Sequence, residues 1–123
     1  MKGTVFSGRG EGARFINLTW ARKRIQEQLG FSPYPGTLNI RLTEESIKTI
    51  RLLAKAAGLE IMPAPGYYPG KLFRASVMNL ECAVIIPQVP GYSEKIIELV
   101  SSISLREELH LVDGSTCEVN VTI

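Results

Sequence analysis

Apolar and polar residues alternate most regularly in TLNIRL, where Leu38, Ile40 and Leu42 fall on one side of an extended chain and Thr37, Asn39 and Arg41 on the other. This is the pattern of a half-buried strand. GTVF and RFINL read as two further strands joined by a glycine-rich loop, and KLFRASVM and ECAVII as a pair around a tight turn at Asn79-Leu80. STCEVNVTI reads as a last strand after the turn Asp113-Gly114. Helical spacing predicts three insertions. Thr19 caps a helix through Leu29 closed by Gly30, and Thr43 caps another, with Glu44 and Glu45 in its first turn, ending at Gly58. In the second, Ile47, Ile50, Leu53, Ala54 and Ala57 form the buried stripe. SEKIIELV reads as a short helix after Ser93, and SLREEL opens a turn with Ser104 and Glu107 as a capping box. Residues 62–70, with three prolines and two glycines, are a loop. About six short strands with a few inserted helices predict a mainly β chain folded as a small barrel.

Composition agrees with one compact domain over residues 1–123: 45% of the residues are hydrophobic and 21% charged, enough to bury a core without disulfide staples. The longest purely apolar run, Cys82 to Ile86, is far too short to span a bilayer, so we expect no membrane association and a cytoplasmic location. Cys82 and Cys117 are expected as two buried thiols. The net charge of +2 is unevenly spread. Residues 1–41 hold seven basic and two acidic side chains, a local balance of +5, while the remainder balances at −3. Positive potential near the glycine segment favours a phosphate compound. Without a long basic stripe and interleaved aromatics, nucleic acid is not expected as a partner. Arg22, Lys23 and Arg24 also suit the solvated face of a helix.

Four places carry candidate chemistry. In SGRGEGARF the glycines at 8, 10 and 12 permit positive φ and close approach of a ligand, and successive N–H groups can form an anion nest. The spacing is neither a P-loop nor the dinucleotide fingerprint, and it also suits a plain hairpin connection. In PYPGTLN, Pro35-Gly36 suits a type II turn, and the neutral oxygens of Thr37 and Asn39 share one strand face, as part of a Mg²⁺ shell would. Glu98, flanked by Ile96, Ile97, Leu99 and Val100, is either a surface position or a carboxylate that deprotonates a hydroxyl. Arg106 in SLRE either meets a ligand or lies on the surface. Trp20 is expected as a core aromatic.

In order and spacing, SGRGEGARF, LGFSPYPGTLN and IIELVSSISLREEL followed by DG resemble the archaeal CTP-dependent riboflavin kinases from about Lys2 onward. The resemblance implies a six-stranded cradle-loop barrel, related to the RIFT barrels, that transfers the γ-phosphate of CTP to the 5′-hydroxyl of riboflavin, giving FMN and CDP. It further implies nucleotide contacts at Arg9, Gly10, Glu11, Gly12, Ala13, Arg14, Ile103, Ser104, Leu105 and Arg106, and Mg²⁺ ligation by Thr37 and Asn39. Glu98 is the implied catalytic residue beside the ribityl chain. Members place a threonine about eight residues before that glutamate; here the position is Pro90, which shifts the expected flavin contact to Tyr92 or Ser93. A monomer with CTP and riboflavin as its small-molecule partners is expected. The alternative is a related barrel that senses a nucleotide or flavin without turnover, or a DNA-binding regulator.

Overall fold

The computed structural model describes residues 1–8 and 10–122, with only the backbone of Glu11. Eight strands and four helices follow one another as β1 (Lys2–Phe6), α1 (Glu11–Ile16), α2 (Thr19–Leu29), β2 (Leu38–Leu42), α3 (Glu44–Lys55), β3 (Leu59–Ile61), β4 (Gly70–Val77), β5 (Leu80–Pro87), β6 (Ile96–Val100), α4 (Leu105–Glu108), β7 (Thr116–Glu118) and β8 (Asn120–Val121). The sheet runs β3-β4-β5-β6-β2-β1-β7 with every pairing antiparallel, and β8 pairs with β4. The fold is therefore mainly β, with two strands more than the pattern predicts.

Two apolar clusters stabilise it. The larger lines the inner face of the sheet and includes Val5, Leu38, Ile40, Leu42, Val84, Ile97 and Leu99, together with Ile50 and Leu53 of α3. The second lies on the outer face, where Ile16 of α1 and Ile25 and Leu29 of α2 meet Leu72, Ala83, Ile85 and Val100. Trp20 stands at the edge of this cluster, half-buried, with Phe15 edge-on at 5.7 Å, Tyr67 at 5.1 Å and the Arg24 guanidinium over its ring. Tyr67 thereby anchors the proline-rich loop. Cys82 and Cys117 are free thiols, and burial pushes Cys82 up to about 12, which leaves it inert at neutral pH.

Several expectations are corrected. RFINL is helical up to Ile16, because a five-residue alternation also fits a helix that buries Gly12 and Ile16 one turn apart. The glycine segment consequently leads into a helix and does not join two strands. SEKIIELV is not a helix: Ile96–Val100 is a strand buried on both faces, so its apolar run lacks the alternation that marks a half-exposed strand. Thr19 is the first residue of α2; the cap is Leu18, which makes no side-chain bond. α3 ends at Lys55 with Ala56 as its cap, short of Gly58. The tight turn is Met78-Asn79, both at positive φ as a two-residue hairpin requires, with Val77 paired to Leu80. Gly36 does not adopt the positive φ of a type II turn. The last strand is broken at Val119, whose N–H donates to the Met1 carbonyl. By contrast, Thr43 and Ser104 cap α3 and α4 through the N–H groups of Ser46 and Glu107.

Candidate active site

β2 and β6 run side by side, with Leu38 opposite Leu99, Asn39 opposite Glu98 and Arg41 opposite Ile96. Alternation along each strand sends Leu38, Ile40, Ile97 and Leu99 into the larger core and leaves Thr37, Asn39, Arg41 and Glu98 on the outer face. Glu98 is 8% exposed there, a buried carboxylate. The Thr37 hydroxyl donates to Oε1 at 3.2 Å and the Tyr92 phenol to Oε2 at 3.3 Å. Among the described residues no cation pairs with it.

The glycine segment lies directly over this face. A β-carbon at Gly12 would collide with the Glu98 carboxylate, and one at Gly8 would stand 2.8 Å from Asn39 Nδ2. Gly10, at φ +78°, turns the chain into α1, where the Arg14 N–H donates to the Gly10 carbonyl at 3.0 Å. The need for glycine is thus steric contact with the two polar strands at Gly8 and Gly12, and backbone conformation only at Gly10. Ala13 is half-buried and Arg14 exposed, whereas Arg9 and the side chain of Glu11 lie outside the described residues.

Thr37 is held in place from outside its own strand. The Tyr34 N–H donates to the Ser101 carbonyl at 2.7 Å, Asn17 Nδ2 to the Pro35 carbonyl at 3.1 Å, and Arg22 to the Pro33 carbonyl. Arg22 therefore braces the approach to Thr37, and Arg24 binds the Met62 carbonyl; these two cations of the basic cluster serve the fold.

Two cavities border the Thr37–Asn39–Glu98 group, one at Thr37 and the other at Asn39 and Glu98. One, of about 250 Å³, is lined by Gly36, Thr37, Ser101, Ile103, Ser104 and Arg106. Leu105 borders it too, but its side chain belongs to the larger core. The other, of about 390 Å³, is lined by Ser7, Gly8, Asn39, Arg41, Tyr92 and Glu98. The structure thus gathers Gly12, Thr37, Asn39, Tyr92 and Glu98 at one point, with residues 103–106 across the first cavity.

Arg106 is engaged on its other side, donating to Asp113 at 3.1 Å and to the Phe6 carbonyl at 3.4 Å. Asp113 also accepts from the Ser7 hydroxyl at 2.9 Å, and this bond, with Arg106 second, holds its carboxyl below the usual aspartate range. Asp113 therefore clamps the start of the glycine segment to α4. Motif reading did not assign it a role; the only signal was the Asp-Gly dipeptide after SLREEL, which marks the turn but not the clamp.

Among the described residues no three His, Cys, Asp or Glu side chains gather as a metal cluster. The outer face offers a different donor set, two neutral side-chain oxygens beside one carboxylate, which fits a hard divalent cation that keeps water and takes further ligands from phosphates. Because Thr37 donates its proton to Glu98, the oxygen keeps lone pairs for such an ion. Among the described residues no helix is long and apolar enough to cross a membrane.

The family model CTP-dep_RFKase, described as a domain of unknown function (DUF120), matches residues 5–121. Similar proteins include the riboflavin kinase of Archaeoglobus fulgidus, 38% identical over 100% of this chain and 54% of the relative. Those of Pyrobaculum aerophilum and Pyrobaculum arsenaticum are 38% and 40% identical, each over 98% of this chain and 60% of the relative. The chain therefore spans little more than half the length of these curated relatives.

Proposed function

The chain belongs to the family of CTP-dependent riboflavin kinase domains, and from that premise we propose that it transfers the γ-phosphoryl group of CTP to the 5′-hydroxyl of riboflavin, releasing FMN and CDP. The observation that carries this reading is the position of Glu98: a buried carboxylate that lines one cavity and accepts a hydrogen bond from Thr37, which lines the other, under a glycine segment too close for any side chain. One cavity suits the donor and the other the acceptor. The nucleotide lies along Ile103–Arg106 with its phosphates under residues 9–14, and riboflavin enters past Tyr92. Glu98 then meets the acceptor hydroxyl.

Phosphoryl transfer asks mainly for alignment and charge stabilisation. The backbone of the glycine segment supplies the first by fixing the phosphates against β2 and β6. Thr37 and Asn39 would hold Mg²⁺, which when bound neutralises charge on the phosphate oxygens. Glu98 orients the 5′-hydroxyl and accepts its proton as the oxygen attacks phosphorus. Tyr92 donates to the same carboxylate, so it holds Glu98 in place on the acceptor side.

We read the sheet as the six-stranded cradle-loop barrel of the family, a reading supported by a last segment that pairs with β1 through β7 and with β4 through β8. Residues 1–123 then form one kinase domain, working as a monomer in the cytoplasm; the free thiols suit that compartment.

The test is incubation with riboflavin and each of CTP, ATP, GTP and UTP, with and without Mg²⁺, followed by separation of the flavins. FMN formed from CTP and dependent on Mg²⁺ is expected. Binding of either substrate without FMN formation identifies a sensor and overturns the kinase reading. In the double variant Thr37→Val, Asn39→Leu, nucleotide binding loses its Mg²⁺ dependence; an unchanged Mg²⁺ titration removes both residues from the metal site.

A further inference from the structure

Arg41 extends from the same strand face as Asn39, two residues further along β2 and so about 7 Å away, into the cavity that also holds Tyr92 and Glu98. Its guanidinium lies 5.0 Å from the centre of the Phe6 ring, which also lines that cavity. Stacking on an aromatic face leaves the edge of a guanidinium, with its N–H donors, open to a partner in its plane. Among the described residues no carboxylate pairs with Arg41; the three ion pairs are Arg51–Glu94, Arg74–Glu81 and Arg106–Asp113. An arginine seated over an aromatic ring, and without an acidic partner among the described residues, thus lines a cavity whose other charged group is Glu98.

We infer that Arg41 is the phosphate-binding residue of the acceptor cavity, pairing with the monoester dianion of the phosphorylated product. This rests on the kinase reading above. The acceptor enters as a neutral alcohol and leaves as a dianion beside Glu98, whose carboxylate repels it once the proton taken up during transfer has been returned to solvent. A guanidinium offset by two strand positions balances that charge and recognises phosphate oxygens through paired N–H donors. The site therefore discriminates between the two flavins by charge, holding FMN more tightly than riboflavin, and Arg41 contributes to the rate of product release.

Flavin fluorescence titrations with riboflavin and with FMN test this in wild type, Arg41→Gln and Arg41→Lys. For Arg41→Gln we expect FMN affinity to fall about tenfold, the scale of one charge-assisted contact, while riboflavin affinity changes less than twofold. Arg41→Lys keeps the charge without the fork and falls between the two. Wild-type FMN binding should weaken with added salt and riboflavin binding should not. Equal losses for both flavins in Arg41→Gln assign Arg41 to the ring or the ribityl chain and overturn the phosphate assignment, as does an unchanged FMN affinity. Wild type that binds riboflavin but never forms FMN from any nucleotide overturns the kinase reading itself, a result separable from the charge comparison. Melting curves establish that the exposed substitutions leave the fold intact.

Discussion

The two faces of the β2–β6 ribbon are built from consecutive residues of the same short strands and do opposite work. Inward, Leu38, Ile40, Ile97 and Leu99 are all at most 4% exposed and pack into the larger core. Outward, Thr37, Asn39, Arg41 and Glu98 are polar, and the last of these is as buried as a core residue because the glycine segment covers it. The inner face supplies free energy through apolar area; the outer face keeps a carboxylate away from bulk water and holds it with two neutral donors. A strand therefore delivers rigidity and chemistry together, one residue apart. The lesson is that the outer groups owe their positions to the inner ones, so each face can be damaged separately.

Gly12→Val should do the most harm to the outer face. Its side chain displaces the Glu98 carboxylate and, on the proposed reading, lifts the segment away from the nucleotide phosphates, removing part of an alignment effect that reaches about 7–11 kcal/mol. We expect FMN formation to drop below that of any Glu98 variant, with the circular dichroism of the folded protein retained; a variant with more than a tenth of wild-type kcat breaks the comparison. Glu98→Gln comes next. Under the proposed role of Glu98 as general base, its loss lowers kcat about 10²–10⁴-fold, leaving residual turnover from alignment alone. Wild-type kcat in this variant removes Glu98 from the chemistry.

Ile40→Ala sharpens the contrast from the other side. Truncation of a fully buried isoleucine should cost about 2–5 kcal/mol in urea unfolding, while kcat measured well below the midpoint stays within threefold. A large fall in kcat without loss of stability reverses the roles of the two faces. The smallest effect is expected at the exposed clamp. The Asp113 carboxyl has a folded pKa below its unfolded one, about 3.9, so its contribution is present above that pH and is lost as pH falls through the folded value. Asp113→Asn should therefore lower the melting temperature slightly at pH 7, and by progressively less as pH falls below the unfolded value. A difference that grows toward acid contradicts the clamp.

Much of this was legible along the chain. The TLNIRL alternation placed Thr37 and Asn39 on one face before any fold was known, because a period of two depends only on the backbone. The caps at Thr43 and Ser104 were equally readable, since a side-chain bond to an N–H two or three residues on is a local event. Glu98 was singled out for a reason that the fold revised. On a helix its apolar neighbours would be unremarkable; on a strand buried on both faces they mark it as the one charged group in an apolar run. Whether a short apolar run is strand or helix depends on what covers it, here the inner core and α1 and α2, and nothing within SEKIIELV records those partners.

By itself, then, the sequence determined which residues could alternate, cap and turn, and, through the order and spacing of three motifs, the family to which the chain belongs. Only the tertiary structure decided that Gly12 must be bare because Glu98 lies beneath it, that Arg22 and Arg24 brace loops, and that Asp113 ties α4 to Ser7 at the start of the glycine segment. The physical reason is range. Dihedral preference and side-chain period act over a few residues, whereas these contacts join positions seven to more than a hundred apart, and which of them form is set by how the sheet packs.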